Sequence, residues 1–279
     1  MFNDNSILNI IEEKALANRA RVAIGIKNPS VNILVSLKKS QDFGHAQIVL
    51  VGCKSDIDKI DVNHNLEIID TNDPEKSICK LLASGDIDAA VRGNIQASKV
   101  LDHLKKQMKV EKLYRIALLQ TNKGRPFFFA PVGIDEGIDL KSKIEHIKKS
   151  VEHIRRFDIN PTVGVLSGGR PGDLGRDSKV DRTLEDAEFV TKYLLDNGIN
   201  AKNYNILIED AVKESDFIYA PDGITGNLIF RTIVYLCGGE GIGAPVLTDK
   251  YVFVDTSRAR QDFTRAVTLA SALTSIKTI

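Results

Sequence analysis

YVFVDTSRAR (251–260), followed at once by QDFTRAVTLASAL (261–273), reads as a strand, a polar turn and a helix. Tyr251, Val252, Phe253 and Val254 form a short apolar run with strand propensity, and Phe263, Ala266, Val267, Ala270 and Leu273 then recur at helical spacing. The period changes at Asp255-Thr256-Ser257-Arg258, where Thr256 or Ser257 is placed to cap the helix. Free N–H groups at such a start, the positive dipole end and Arg258 would converge on one point. That point suits an anion, and a planar guanidinium there clamps a phosphate or polarises a carbonyl. The plain alternative is an ordinary cap beside a solvated arginine.

Outward from this segment the same alternation runs back to about Arg21. Strands are expected at 22–26, 46–51, 66–70, 89–91, 114–119, 127–130, 162–166, 205–208, 217–220 and 251–254, with helices at 29–39, 74–84, 95–106, 184–197 and 228–237. Strands alternating with helices make an α/β protein with mainly parallel sheets. So many strands exceed one sheet of ordinary size, and 279 residues are enough for two α/β domains, with the joint near 126–137.

The formal net charge is only +1, with 43% apolar and 27% charged residues, a globular profile that does not favour nucleic acid or a charged membrane surface. Cys53, Cys79 and Cys237 are widely spaced and odd in number, which fits a reduced, cytoplasmic interior. The first residues are acidic and polar where a signal peptide is basic and then apolar, and no run reaches membrane-spanning length. The histidines lack metal-ligand spacing; His146 and His153 stand about two helical turns apart, so no metal site is expected.

Chemistry is expected where strand-like runs end in polar or glycine-rich loops before helices, the ligand-binding ends of open α/β sheets. Besides 255–258 these are Arg92-Gly93-Asn94, the run SGGRPGDLGRDS from Ser167 through Arg170 to Arg176, and Asp222 to Asn227. Gly168, Gly169, Gly172 and Gly175 let backbone N–H groups turn toward an anion, and Arg170 and Arg176 add charge; a mobile rim is the alternative. The Gly-Asn pairs at 93–94 and 226–227 read as helix starts, Thr183 to Asp186 resembles a capping box, and CGGEGIGAP (237–245) reads as a helix C-cap and loop. No Walker loop, GxGxxG fingerprint or GxSxG elbow is present, so covalent catalysis is not indicated. In KSKIEHIKKSVEHIRRF (141–157), Ile144, Ile147, Val151 and Ile154 form one apolar stripe with a basic back, read as core-facing in preference to a partner-binding helix.

Together AAVRGNIQASKVL, NPTVGVLSGG, YAPDGITGNLIFRTIVYL and VDTSRA resemble, in order, the motifs of the phosphate acetyl/butyryltransferase superfamily, especially its butyryltransferase branch. The similarity spans roughly Ala20 to the C-terminus and is most specific at 219–236 and 254–259. It implies two α/β/α domains of the isocitrate/isopropylmalate dehydrogenase-like fold, here 1–130 plus 248–279 and 131–247, with the active cleft between them and a homodimer. It implies coenzyme A or its thioester as a substrate meeting phosphate without metal or covalent intermediate. Arg258 would hold phosphate or the reacting carbonyl, and Ser257 would assist near the sulfur. Asn227 matches the glycine-asparagine motif, and Ser167 begins the substrate-facing loop, with Arg92, Asn94, Gly168, Gly169, Arg170 and Arg176 as further binding candidates. Within the superfamily the chain is similar to a methanogen branch bearing a methyltransferase-subunit name, which links it to methyl transfer and to a methyltransferase complex.

Arg260 stands two after Arg258 where the acyltransferases carry an aspartate, and Asp262 comes later, placed as a first-turn carboxylate. The loop after Ser167 is rebuilt around Arg170, Pro171, Asp173 and Arg176, and ITGN replaces the usual acidic-Ala-Gly-Asn. The leading expectation is therefore a transferase on an anionic acyl, phosphoryl or methyl donor, and its rival a non-catalytic ligand-sensing subunit. A nicotinamide-dependent dehydrogenase follows from fold analogy alone and lacks the fingerprint. S-adenosylmethionine has little support, since no glycine-rich loop follows the strand at 22–26.

Overall fold

Near-continuous apolar runs such as Ile48 to Val51 and Phe127 to Ala130 need cover on both sheet faces, which parallel strands obtain from their crossover helices. A computed structural model describes residues 7–258 and 260–275 and divides the chain into two units, Met1–Leu113 with Ile242–Ile279, and Tyr114–Gly241.

The first unit runs α1 (Ile7–Asn18), β1 (Arg21–Gly25), α2 (Val31–Asp42), β2 (Gln47–Gly52), α3 (Lys54–Ile57), β3 (Glu67–Asp70), α4 (Pro74–Ser84), β4 (Ala89–Val91) and α5 (Ala97–Met108). The second holds β5 (Ala117–Gln120), β6 (Pro126–Ala130), α6 (Leu140–Arg155), β7 (Val163–Leu166), α7 (Ser178–Asp196), β8 (Ala201–Asn205), α8 (Ile208–Glu214), β9 (Phe217–Tyr219) and α9 (Gly223–Tyr235). Strand β10 (Glu240–Pro245) returns the chain to the first unit, which β11 (Val252–Asp255) and α10 (Thr264–Thr274) complete.

In the first unit the strand order is β3-β2-β1-β4-β11-β10, parallel except for β10. Helix α10 packs on α1, α2, β4 and β11, and its residues from Ala266 to Leu273 are all buried. A helix buried all round needs polar groups that bond locally; Ser271 Oγ accepts the Ala20 N–H at 3.2 Å and Thr268 Oγ1 donates to Thr264 O at 2.9 Å. In the second unit the order is β5-β6-β9-β7-β8, with β5 antiparallel to β6 and the other pairs parallel. Helix α6 turns Ile147, Val151 and Ile154 into the core and leaves Lys148, Lys149 and Arg155 exposed, as its stripe predicts.

Local chemistry was misread in three places. Strand β8 precedes the expected 205–208 run, because Asn205 takes a left-handed φ of 55° and ends it. Residues 240–245 form β10 despite their glycines; antiparallel pairing of Ala244 with Asp255 and Pro245 with Val254 overrides their low strand propensity. Helix α7 begins at Ser178, where Asp177 Oδ1 accepts the Lys179 N–H at 2.7 Å, so Thr183 to Asp186 is helix interior and no capping box.

The interior of the second unit holds an unusual polar group. Both ring nitrogens of His153, and the hydroxyls of Ser150 and Ser215, are buried without hydrogen-bond partners. Burial pushes the His153 pKa down from 6.5 to about 3. His146 is also pushed down by burial, although one ring nitrogen lies 2.9 Å from Arg115 O and the other 3.4 Å from the Tyr219 hydroxyl. A histidine held neutral in the fold but protonated once unfolded draws the chain open in acid. Its contribution is therefore intact above about pH 6.5 and is lost as pH falls toward about 3. Each such group steepens the loss by about 1.4 kcal/mol per pH unit. Urea unfolding from pH 7 to pH 4.5 should show a shallower pH slope for His153→Leu than for the wild type; parallel curves would refute this.

Candidate functional site

Strand β1 is flanked by β2 on one side and β4 on the other, so the chain runs outward through β2 and β3 and then crosses back to β4. Loops leaving β1 and β4 diverge at this switch point, where open α/β sheets leave room for ligands. Gly93 makes the close approach feasible: its φ is +66°, and a Cβ there would lie 2.1 Å from Gly25 O. Asn94 then clamps the loops together. Its Oδ1 accepts the N–H groups of Lys27 at 2.8 Å and Asn28 at 3.4 Å, and its Nδ2 donates to Asn28 O at 2.6 Å. The pair at 93–94 is thus a loop clamp and not a helix start, since α5 begins at Ala97.

Arg92 is buried with its side chain 7% exposed. Nε donates to Asp255 Oδ1, Nη1 to Ile95 O at 2.9 Å, and its backbone N–H to Val254 O at 2.9 Å. Asp255 also accepts the Thr256 N–H at 2.9 Å, and Thr256 Oγ1 donates to Gly93 O at 2.9 Å. The hydroxyl expected to cap a helix is therefore committed to the neighbouring loop. Helix α10 starts at Thr264, after the fully buried Phe263, and Ser257 does not cap it. Asp262 lies just ahead of that first turn, its Oδ1 accepting the Thr264 N–H at 2.8 Å. Ser257 is half-buried and Arg258 exposed, and Arg258 makes no hydrogen bond or ion pair among the described residues. The Ser30 hydroxyl, cap of α2, donates to Gln261 Oε1 at 2.8 Å. Buried Glu75 accepts the Gln96 N–H at 3.1 Å and lies 3.8 Å from Lys27 Nζ.

The other candidates lie on the carboxyl edge of the second sheet, where β9 stands between β6 and β7. Ser167 is buried, its hydroxyl donating to Gly169 O at 3.0 Å, and the Gly168 N–H reaches Thr183 Oγ1 at 2.8 Å. Arg170 and Arg176 are exposed. The Arg170 N–H goes to Asp173 Oδ2 at 2.9 Å, and the Arg176 guanidinium pairs with Asp173 Oδ1. The Arg170 N–H, and then Arg176, hold the Asp173 carboxyl below its usual range. Asn227 is not a helix start either, because α9 begins at Gly223 under an Asp222 cap. Its Nδ2 donates to Val132 O at 2.9 Å. A Cβ on Gly226 would lie 2.0 Å from Pro131 O, so this pair seats α9 on the loop after β6.

Residues missed in the sequence complete both edges. Asp255 and Glu75 secure the first, and Glu136 the second, accepting the N–H groups of Val132 and Gly133 at 3.1 and 2.9 Å and pairing with Arg115 at 2.9 Å. An acidic residue directly after the apolar run 251–254 was the visible signal for Asp255; its partner lies 163 residues away. Among the described residues no three His, Cys, Asp or Glu side chains gather as a metal-holding group, and no helix is long and apolar enough to cross a membrane.

No family model matches the chain. It is 58% identical over 268 residues to the Methanosarcina mazei protein called "Putative methyltransferase mtx subunit X", covering 96% of this chain and 95% of that one. The chain belongs to this methyltransferase subunit X family. It is also similar to a Clostridium beijerinckii phosphate butyryltransferase, 24% identical over 297 residues and covered to 97% and 96%. A branched-chain phosphotransacylase from Enterococcus faecalis superposes with a TM-score of 0.69 at 18% identity, covering 92% of this chain and 99% of that one. The fold expected from the motifs is borne out, as is the expected likeness to the branch with a methyltransferase-subunit name.

Removing one member of a buried ion pair strands the other, which costs about 3–5 kcal/mol. Arg92→Met should lower unfolding free energy by that order in urea titrations, and adding Asp255→Asn should restore part of it. A cost below about 1 kcal/mol for the single variant would contradict the role given to this pair.

Proposed function

We propose that the chain is a transferase whose first unit grips the negatively charged part of an acyl, phosphoryl or methyl donor at the carboxyl edge of its sheet. One observation carries this reading: Arg258 is an exposed guanidinium without a hydrogen bond or ion pair among the described residues, on a loop rooted in the buried Arg92–Asp255 pair. Arg258 would orient a phosphate or carbonyl oxygen and offset the charge developing on it, with Ser257 beside it. Asp262 would act by holding the start of α10, since its carboxylate already accepts the Thr264 N–H. In the second unit Ser167, Gly168, Gly169, Arg170, Arg176 and Asn227 would be substrate-binding residues at the carboxyl edge of its own sheet, and in the first Arg92 and Asn94 would support binding by fixing loops. Coenzyme A or its thioester is one candidate donor, proposed from the motif resemblance to the phosphate acyltransferases. The relatives' name, a methyltransferase subunit, supports a place in a methyltransferase complex; a role in methanogenesis and a cytoplasmic location belong to the same proposal.

A non-catalytic ligand-sensing subunit is the second reading. It is favoured by the loop after β7, whose N–H groups at 168, 170 and 175 are already taken by Thr183, Asp173 and Asp181. Calorimetry with a coenzyme A thioester and with inorganic phosphate separates the two when paired with a turnover assay. Arg258→Ala should weaken donor binding about tenfold or more, and Arg258→Lys should restore part of it. Unchanged binding in Arg258→Ala would remove the carrying observation, and tight binding without turnover would favour the sensor.

A homodimer is proposed on separate ground. Helix α9 carries Ile224, Leu228, Ile229, Phe230, Ile233 and Val234, yet of its 13 residues only Gly223 and Gly226 are buried. Ile224, Leu228, Tyr235 and Leu236 are exposed, as are Ile134 and Ile138 in the segment that packs at its start. Exposed apolar side chains of this kind suit a self-complementary interface. Light scattering should find twice the chain mass for the wild type and a single chain for Leu228→Asp/Leu236→Asp; a monomeric wild type would reject the dimer.

A further inference from the structure

Among the described residues, buried lysine, arginine and carboxylate groups meet their counter-ions within hydrogen-bond distance, with one exception. Arg92 donates to Asp255, Arg115 Nε lies 2.9 Å from Glu136 Oε1, and Lys143 Nζ lies 2.6 Å from Asp186 Oδ2. Glu136 fills its second oxygen as well, with the Val132 and Gly133 N–H groups. Glu75 is the exception, although it is only 3% exposed. Its Oε1 accepts the Gln96 N–H at 3.1 Å, and its ion-pair partner, Lys27 Nζ, stands back at 3.8 Å on a side chain that is 53% exposed. Oε2 makes no hydrogen bond among the described residues, yet it is not one of the partnerless atoms sealed from solvent, which belong to Ser40, Ser150, His153 and Ser215. It therefore opens outward. Glu75 comes from the start of α4, Gln96 from the loop after β4, and Lys27 from the loop after β1, where Asn94 Oδ1 holds its backbone N–H at 2.8 Å. The place is the switch point of the first sheet, and all four residues belong to the first unit, as does Arg258.

We propose that Glu75 is a specificity-determining residue whose open oxygen accepts a hydrogen bond from a neutral group of the donor, a hydroxyl or an amide N–H, while Lys27 donates to the oxygen of that same group. The proposal deepens the transferase reading and rests on it for the word donor. A buried carboxylate left half satisfied weakens the fold that carries it, so its presence at a ligand-binding edge is explained by a partner that completes it. An ammonium beside a carboxylate forms a subsite of little net charge, suited to a group that both donates and accepts. A phosphate placed there would face Glu75 as a like charge. The anionic part of the donor therefore belongs at Arg258 and a neutral polar part at Glu75, which selects a donor larger than a simple acyl phosphate.

Glu75→Gln tests this in the full chain, because glutamine keeps an acceptor for the Gln96 N–H and turns an NH2 group outward where Oε2 stood. Two measurements are needed. In the first, urea unfolding without ligand, the variant should be no less stable than the wild type, since a strained charge has been removed. In the second, calorimetry, coenzyme A is the probe, carrying hydroxyl and amide groups beside its phosphates, and inorganic phosphate is the control. Glu75→Gln should weaken coenzyme A binding about tenfold or more and leave phosphate binding unchanged. Lys27→Met should weaken coenzyme A binding in the same sense. The proposal is overturned if Glu75→Gln raises the unfolding constant about tenfold or more, which would make the carboxylate a structural group. It is overturned equally if coenzyme A binding is unchanged, which would leave water as the partner of Oε2, or if phosphate binding falls alongside it. Should the wild type bind no coenzyme A, the unfolding comparison decides alone. Failure of the transferase reading looks different, because it shows as donor binding that Arg258→Ala leaves intact.

Discussion

The carboxyl edge of the first unit depends on one buried ion pair, Arg92 with Asp255. Withdrawing two charges from water is costly, and the cost is offset only when geometry is good and remaining donors and acceptors are satisfied. Both conditions hold: Arg92 also donates to Ile95 O, and Asp255 also accepts the Thr256 N–H. A lysine lacks the planar fork that serves a carboxylate and a carbonyl together. Fixing these residues fixes where β4 and β11 end. The left-handed Gly93 and the Thr256 hydroxyl follow from that, as does the direction in which the chain leaves toward Ser257 and Arg258.

The second unit solves its corresponding edge with carboxylates turned onto backbone N–H groups. Glu136 closes the loop after β6, and Asp173 the loop after β7. Glycine contacts set the remaining geometry, most closely where Gly223 lets the start of α9 approach Gly133 O, with Gly226 against Pro131 O next. Loops held by their own acids keep a fixed form without a ligand. They also offer fewer open donors than their sequence advertises, whereas the first unit leaves the Arg258 guanidinium exposed.

Alternation of period made the α/β class legible, and the strand at 89–91 and the helix at 74–84 were readable to the residue. Apolar runs bounded by Asp73-Pro74 and Gly85 carry their own stop signals. What could not be read was the destination of each polar side chain. Asn94 and Asn227 look like caps from their neighbours, but their partners, Asn28 and Val132, lie 66 and 95 residues away. Thr256 was available as a cap until β4 supplied Gly93 O. The glycines of 167–175 suggested an open nest because spacing does not reveal that Asp173 folds back onto them. Propensity likewise missed β10, whose strand form is imposed by β11.

Helix α10 is enclosed on every side, and β11 stands between β4 and β10 inside the first sheet. Both are made only after the whole of Tyr114–Gly241. During synthesis the second unit can therefore complete its sheet while the first, begun earlier, still lacks an interior strand and its central helix. Closure of the first unit must wait until residues 252–274 have been made and have left the ribosome. Until then the apolar faces of β4 and α1 lie open, an interval in which a chaperone or a partner subunit has access to surface that the finished protein hides.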